Sequence, residues 1–234
     1  MANDETQGQI EPTEALAISG LKAQPVWVQD AVSHFYDDAG DIAQRYVNHL
    51  VTTGVEWGLL GPREIPIMWE RHVLNCVATE ALFPSGVLVA DVGSGAGLPG
   101  VALAIARPDV QFVLIEPLER RVGWLVDVIA DLDLPNVDVI RARAEQVVET
   151  LDVDVVTARA VSALKSLVPL TAPLLHGEGE LIALKGRSAP DEINRARKVL
   201  QKYRAENVEV LTCGKEWLET PTTVVRVSFG DRLG

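Results

Sequence analysis

Three glycines at alternate positions follow an acidic residue near the middle of the chain. The acid, Asp91, ends the apolar run 88–90. The glycines are Gly93, Gly95 and Gly97. This order predicts a buried parallel strand, a tight loop and the start of a helix, which together form the ligand-binding corner of an open α/β sheet. The glycines let the backbone turn sharply and leave no Cβ between the loop and a ligand.

The carboxylate of Asp91 discriminates between the ligands that such a loop can hold. A pyrophosphate would be repelled by an acid just before the first glycine, whereas S-adenosylmethionine carries an ammonium and a sulfonium group and no phosphate. Residues 95–100 also fit the Gly-x-Gly-x-x-Gly pattern of dinucleotide-binding proteins. The acid followed by alternating glycines nevertheless favours a methyl donor over a dinucleotide.

Residues at the ends of the next three predicted strands extend this site. Glu116 ends the second strand, where an acid accepts hydrogen bonds from both ribose hydroxyls of a bound nucleotide. Ala144 follows the third strand and allows close approach of a flat adenine, and Glu145 either accepts from the adenine amine or caps the next helix. Arg159 ends the fourth strand, where it could hold a phosphate or the O6 and N7 edge of a guanine.

Motifs of two common kinds of base methylation do not occur in the chain. No Asn-Pro-Pro-Tyr-like run, which serves exocyclic amines, follows the fourth strand. No cysteine nucleophile, which carbon-5 of a pyrimidine requires, stands near the expected site. An acceptor that is already nucleophilic, such as guanine N7, needs alignment but neither a base nor a covalent step.

Strands and helices alternate from residue 86 onward, which predicts a mostly parallel sheet with right-handed crossovers. The predicted strands cover residues 87–91, 111–116, 137–141, 153–157, 180–185, 208–212 and 223–228. The predicted helices lie near residues 99–107, 119–131, 144–150, 162–175 and 190–204. The short link between the last two strands predicts an antiparallel pair. We therefore expect an α/β, Rossmann-like class I methyltransferase fold, with six parallel strands and one inverted edge strand.

The chain before the sheet divides into two predicted segments. Residues 1–24 are polar and acidic, which predicts a disordered tail. Residues 25–85 are expected to form a helical extension, with two helices between residues 27 and 51 and a third from Pro66 to about Leu82. The methyltransferase domain is expected to occupy residues 86–234.

Charge and composition limit the class of protein. The net charge of −12 excludes a general nucleic-acid binder, because phosphate contacts need Lys and Arg. The basic stretch 185–204 is either a solvated helix face or one specific RNA surface. The 2 cysteines and 4 histidines show no zinc spacing, no apolar run is long enough to span a membrane, and the acidic N-terminus does not resemble a signal peptide. We therefore expect a cytoplasmic protein without a metal.

With these motifs, residues 27–229 resemble the RsmG (GidB) family of bacterial methyltransferases, which act on guanine N7 in 16S ribosomal RNA. The resemblance rests on Asp91-Val-Gly-Ser-Gly-Ala-Gly-Leu-Pro-Gly, Arg71-His72, Arg120-Arg121-Val122, Arg159-Ala160 and Ala183-Leu184-Lys185-Gly186. It implies S-adenosylmethionine contacts at Gly93, Leu98, Ala144, Glu145 and Arg159. It also implies an acceptor guanine in the decoding region, with the helix that carries Arg71 and His72 beside the guanine pocket. Without the resemblance, an Arg-His pair would be read as a helix cap or a surface feature.

The chain departs from the family pattern at two places. Trp57-Gly58-Leu59-Leu60 stands where the family often has Asn-Leu-Thr, and Glu116-Pro117 stands where it often has Asp-Ser. Glu116 keeps the carboxylate for the ribose, whereas the first change leaves the RNA contacts of the N-terminal part undefined. Trp57, Trp69 and Trp124 could stack on a base, although large aromatic residues usually fill cores.

These observations predict an S-adenosylmethionine-dependent enzyme that methylates guanine N7 in 16S rRNA, acts as a monomer and binds no membrane. Arg159 is expected to align the acceptor with the donor. The expected RNA contacts are Arg71, His72, Lys185, Arg187, Arg195 and Arg197. Two alternatives stay open: a small-molecule methyltransferase, which the acidic charge would suit, and a non-catalytic Rossmann-type nucleotide-binding domain, against which Asp91 counts.

Overall fold

A seven-stranded sheet forms the centre of the protein in a computed structural model that describes residues 10–230. The strands are β1 (Leu88–Val92), β2 (Gln111–Ile115), β3 (Val137–Ile140), β4 (Val155–Arg159), β5 (Gly179–Lys185), β6 (Asn207–Cys213) and β7 (Thr222–Phe229). Their order in space is β3-β2-β1-β4-β5-β7-β6. Strands β1 to β5 pair in parallel, so their carboxyl ends meet at one edge of the sheet. The predicted α/β fold with a mostly parallel sheet of seven strands is confirmed.

The inverted strand is β7, which pairs antiparallel with both β5 and β6. The antiparallel pair predicted for the last two strands is confirmed and lies at the edge of the sheet, but the inverted strand β7 is the inner member of the pair and β6 forms the edge. The side chains explain the order: Val224, Val225 and Val227 of β7 are fully buried. The outer strand β6 instead exposes Asn207 and Thr212, which suits the edge of a sheet.

Helices cover both faces of the sheet. Their bounds are α1 (Pro12–Ser19), α2 (Val26–Tyr36), α3 (Gly40–Val51), α4 (Thr53–Glu56), α5 (Asn75–Val77), α6 (Gly100–Ala106), α7 (Glu119–Leu132), α8 (Leu164–Thr171) and α9 (Ala189–Lys202). Helices α2 and α3 confirm the two helices predicted between residues 27 and 51. No helix among residues 10–230 is long and apolar enough to cross a membrane.

The N-terminal part packs on the sheet instead of extending away from it. Residues 12–23 were predicted to belong to a disordered tail, but they form α1 and a short 3-10 turn. The prediction was wrong here because Ala15 enters the core and the indole N–H of Trp69 donates to the carbonyl oxygen of Ser19 at 2.8 Å. Residues 1–9 lie outside the described part of the chain.

Two predicted helices are interrupted or nearly absent. The segment expected to be one helix from Pro66 to Leu82 consists of a 3-10 turn (Pro62–Ile67), a π-helical turn (Met68–Leu74), α5 and a second 3-10 turn. The helix expected over residues 144–150 is a single 3-10 turn at Ala144–Gln146. The β-branched Val147, Val148 and Thr150 disfavour its continuation.

The helical extension and the sheet share one hydrophobic core, which contains α2, α3, α6 and α7 side chains. A second core lies on the opposite face of the sheet, under α8 and α9. The phenol of Tyr46 on α3 donates to the carbonyl oxygen of Ala96 at 2.7 Å, so the extension directly supports the glycine loop. The proposed division of the chain after residue 85 stays a prediction.

Candidate functional site

The glycine loop joins β1 to α6 at the carboxyl edge of the sheet. Gly93, Gly95 and Gly97 all have positive φ angles, of 73°, 58° and 84°, which explains why glycine occupies these three positions. Asp91 lies under the loop, where its Oδ2 accepts a hydrogen bond from the N–H of Gly100 at 3.0 Å. From the sequence, this carboxylate was expected to select the ligand. The structure instead buries it fully and uses it to hold the start of α6.

Burial also changes the ionisation of Asp91. Desolvation raises the pKa of this carboxyl to about 7, and the hydrogen bond from Gly100 opposes the rise only in part. The second oxygen, Oδ1, is buried and has no hydrogen-bond partner among the described residues. A proton on this oxygen removes the charge that burial disfavours.

Glu116 closes the loop from the end of β2. One of its oxygens accepts from the N–H of Gly95 and the other from the N–H of Leu118, both at 3.0 Å. The side chain is buried, and Arg121 lies 3.6 Å from it. A carboxylate can accept more than two hydrogen bonds, so ribose hydroxyls can still be held here. Glu116 therefore also fixes the glycine loop, a second role that its position in the sequence does not reveal.

The turn after β3 lies at the carboxyl edge of the sheet, beside the end of β2. Ala144 is buried, whereas Glu145 is exposed. The cap of this turn is made by Gln146, whose side-chain oxygen accepts from the N–H of Arg143 at 2.7 Å. Glu145 was expected either to cap this turn or to contact the adenine. In the structure, the side chain of Gln146 makes the capping contact and Glu145 does not. Contact between Glu145 and an adenine amine stays a prediction.

The connection after β4 crosses the glycine loop. Ala160 adopts a left-handed conformation with φ of 57°, which is unusual for a residue with a Cβ. The next residue, Val161, is 37% exposed, and a Cβ added at Gly93 would come within 2.8 Å of its methyl carbon. The space over Gly93, where a contact with S-adenosylmethionine was expected, is therefore bounded by Val161.

The geometry of the loop fits S-adenosylmethionine. A Cβ added at Gly95 would meet only the carbonyl oxygen of Gly93, at 3.9 Å, so the backbone is open to a ligand there. The acidic Glu116 lies directly beside this open position. An acid beside an exposed backbone suits ribose hydroxyls and a cationic ligand and disfavours a pyrophosphate. No cluster of side chains within residues 10–230 could hold a metal ion.

Arg159 faces the helical extension and is largely enclosed by it. One guanidinium nitrogen lies 3.1 Å from both the carbonyl oxygen of His72 and the sulfur of Cys76, and the other contacts the His72 ring. His72 in turn contacts a carboxylate oxygen of Glu64 at 2.6 Å. Two residues expected to contact RNA or substrate separately are thus brought into one buried network. Sequence reasoning missed Glu64 because nothing in the chain marked it.

A cleft of about 460 Å³ lies beside Arg159 at the ends of β4 and β5. Its wall includes Ala160, Ser162 and Lys185. The Lys185 side chain is only 9% exposed, and its ammonium lies 2.9 Å from Glu192 and donates to the carbonyl oxygen of Ser162 at 2.6 Å. The same Glu192 accepts from the N–H of Leu164 at 2.8 Å. Lys185, expected to contact RNA, is therefore an anchor of the loop after β4.

The other expected RNA residues remain at the surface. Arg71 on the π-helical turn is exposed, as are Arg187 before α9 and both Arg195 and Arg197 on it. Of the three tryptophans considered for stacking, Trp69 and Trp124 are buried in the core, as aromatic residues usually are. Trp57 is different, because 37% of it is exposed.

Comparison with known proteins places this architecture in a family. The family model described as GidB, rRNA small subunit methyltransferase G, matches residues 40–220. A ribosomal RNA small subunit methyltransferase G from Paenarthrobacter aurescens is 57% identical over 198 residues, which cover 85% of this chain and 92% of that protein. The protein of the same name from Mycobacterium marinum is 48% identical over 210 residues, covering 88% and 92% respectively.

Solved structures agree on the fold. The TYW2 protein of M. jannaschii, in a complex with AdoMet, superposes with a TM-score of 0.55 at 20% identity, covering 70% of this chain and 78% of that one. The precorrin-6y C5,15-methyltransferase of Geobacter metallireducens gives a TM-score of 0.51 at 16% identity, covering 67% and 88%. At this identity the likeness concerns the fold alone. The match over residues 40–220 and the close relatives show more: the chain belongs to the GidB family, the small-subunit rRNA methyltransferases G.

Proposed function

We propose that this protein transfers a methyl group from S-adenosylmethionine to N7 of a guanine in 16S rRNA. Family membership and the arrangement of the carboxyl edge of the sheet support this proposal. Val161 lies over Gly93 of the glycine loop, and its chain neighbours Ala160 and Ser162 line the cleft beside Arg159 and Lys185. A donor and an acceptor can therefore approach each other across one short connection, which is the arrangement that group transfer requires.

The donor would be held by the residues at the ends of β1, β2 and β3. We assign its contacts to Gly93, Gly95, Gly97, Leu98, Glu116, Ala144 and Glu145. Asp91 acts through the loop that it fixes, since its carboxylate is buried. When bound, S-adenosylmethionine supplies a methyl group on a positively charged sulfur.

The transfer itself needs no general base. N7 of neutral guanine carries no proton; it forms the new bond to the methyl carbon while the sulfur–methyl bond breaks with its electron pair going to sulfur. The positive charge moves from the sulfur to the guanine ring. The protein contributes placement: Val161 and Ser162 are held by Lys185 and Glu192, and Arg159 holds the extension against the end of β4. Arg159 is thus proposed as a positioning residue for acceptor and donor alignment.

The exposed arginines are proposed to contact the RNA backbone. Arg187, Arg195 and Arg197 lie on or next to α9, and Arg187 closely follows Lys185 and Gly186 of the cleft wall. Arg71 lies on the same π-helical turn as His72, which contacts Arg159 at the cleft. Exposed guanidinium groups can bind phosphate in pairs of hydrogen bonds. Because a ribosomal substrate is found in the cytoplasm and the site is formed by one chain, we also propose a cytoplasmic monomer.

The test uses small ribosomal subunits, and separately free 16S rRNA, from a strain that lacks this protein. Purified protein and methyl-labelled S-adenosylmethionine should label one guanine, which borohydride and aniline treatment cleaves only if N7 is methylated. Free guanosine should not be labelled, because it lacks the phosphate contacts. Labelling of guanosine, or of another atom, would contradict the proposed substrate.

A further inference from the structure

An exposed aromatic surface lies on the side of the site away from α9. Trp57 follows α4, and the guanidinium carbon of Arg120, at the start of α7, lies 6.0 Å from the centre of its ring. Glu56, Trp57 and Arg120 surround a shallow depression of about 360 Å³. We call these three residues the Trp57 surface.

The Trp57 surface is held rigidly. The backbone N–H of Trp57 donates to the carbonyl oxygen of Thr53 at 2.8 Å, and the Thr53 hydroxyl accepts from the indole N–H of Trp124 at 2.9 Å. Because Trp124 is buried within α7, the helix that carries Arg120, both parts of the surface are fixed to the same element. These bonds fix the backbone that carries the ring, and a tryptophan side chain, with only two rotatable bonds, loses little conformational entropy when it binds a flat partner.

The surface also lies at the edge of the proposed donor site. Arg121, the neighbour of Arg120, approaches the carboxylate of Glu116 to 3.6 Å. The basic residues of α9 lie beyond β5, on the other side of the cleft. The Trp57 surface, next to the end of β2, and the cleft at the ends of β4 and β5 therefore lie on either side of the proposed donor site.

We propose that the Trp57 surface stacks an unpaired base of the RNA next to the target guanine. This inference rests on the proposed function. Aromatic rings and guanidinium planes are the groups on which proteins stack single-stranded bases. The carboxylate of Glu56 at the rim disfavours a phosphate, so the surface recognises the face of a base and not the backbone.

The experiment compares Trp57→Leu with Trp57→Phe, using small subunits from a strain that lacks this protein as the RNA. The leucine variant keeps apolar bulk but loses the ring, so its KM for subunits should rise by about 5- to 150-fold. The phenylalanine variant should recover most of that loss. The kcat and the salt dependence of binding should stay unchanged in both, because no phosphate contact is lost. Val126→Ala, an exposed apolar position on α7, is the matched control.

Each result decides the proposal. A Trp57→Leu enzyme with the wild-type KM overturns it, and so does a Trp57→Phe enzyme that is as impaired as the leucine variant. Weaker S-adenosylmethionine binding by Trp57→Leu, measured by calorimetry without RNA, would assign the ring to the donor site and also overturn it. Arg120→Gln tests the same surface without altering the tryptophan and should raise the KM by a smaller factor. Wild-type protein that methylates no rRNA would refute the proposed function, and the stacking surface with it.

Discussion

The guanidinium of Arg159 donates a hydrogen bond to the Nδ1 atom of His72. Because an arginine cannot accept, Nδ1 must be the unprotonated ring nitrogen, and the ring proton lies on Nε2, which donates to Glu64. Burial and the adjacent Arg159 charge lower the pKa of His72, which agrees with a neutral ring. The end of β4 and the π-helical turn are thus joined by a directed network.

Arg159→Ala should therefore lower both stability and turnover. It removes charge-assisted hydrogen bonds to His72 and Cys76, and we expect the free energy of unfolding to fall by about 1.5–3 kcal/mol in urea titrations. Arg159→Lys should not rescue it, because an ammonium cannot reproduce the planar fork. Single-turnover kinetics at saturating RNA measure the loss of turnover. Lost turnover with unchanged stability would mean that Arg159 acts on the substrate itself.

The buried Asp91 predicts a pH effect on stability. Its pKa is about 7 in the folded protein and near 4 in the unfolded chain, so the folded state binds more protons between these values. Stability should therefore fall as pH rises from about 4 to about 7, by a few kcal/mol relative to Asp91→Asn, which has no ionisable group there. Unfolding titrations of both proteins across this range test the sign. Parallel curves would show that Asp91 is ionised normally.

Glu116→Ala should weaken S-adenosylmethionine binding by roughly 10- to 150-fold, because it removes hydrogen bonds to the ribose and frees the N–H of Gly95. Glu116→Asp should lose less. Calorimetry with a 2′-deoxy analogue separates the two causes: the missing hydroxyl should weaken wild type but not Glu116→Ala. Glu119→Ala, an exposed acid nearby, is the control. Equal affinity of wild type and Glu116→Ala would exclude the ribose contact.

Breaking the Lys185–Glu192 pair should reduce turnover without changing the salt dependence of RNA binding. Lys185→Met leaves a half-buried carboxylate and frees the carbonyl oxygen of Ser162, at a cost of about 1–3 kcal/mol in unfolding free energy. The double variant Lys185→Met/Glu192→Leu should recover part of the stability, since no charge remains unpaired although the N–H of Leu164 loses its acceptor, but it should not recover turnover. A flatter salt dependence in Lys185→Met would instead identify Lys185 as a phosphate contact.

Replacing Arg195 and Arg197 should change the salt dependence of RNA binding and leave turnover unchanged, which is the opposite of the effect expected for Lys185. Both are exposed on α9, and replacing them with alanine should flatten the log–log salt dependence of RNA binding by about one unit per lost phosphate contact. The methyl-transfer rate of the bound complex should stay at the wild-type value. Filter binding across a salt series, followed by single-turnover measurements, separates the two quantities. An unchanged slope would make these arginines an ordinary solvated helix face.

The sequence was sufficient for the elements that periodicity and glycines determine. The alternating glycines predicted the loop after β1 because their positive φ angles leave few other residues possible. The location of β7 was not predictable in this way. Its pairing with both β5 and β6 depends on contacts far apart in the chain, which a local apolar pattern does not report.

The site was predicted as a set of positions and not as a set of contacts. Arg159, His72 and Lys185 were found from their motifs and from the family resemblance, neither of which reports the partners that hold these side chains in the fold. Their partners, Glu64 and Glu192, come from other elements, and only the folded structure brings them together. Val161 was missed because an apolar side chain in a loop carries no chemical signal.

The position of β7 also sets the order in which the site can be completed during synthesis. Until residues 222–229 leave the ribosome, β5 has an open edge and β6 has no neighbouring strand. An open edge of this kind is prone to pair with other chains. Lys185, at the end of β5, faces Thr223 of β7 in the register of the pair. Strand β5, which carries the loop anchor Lys185, therefore pairs with its second neighbour β7 only when nearly the whole described chain has been made.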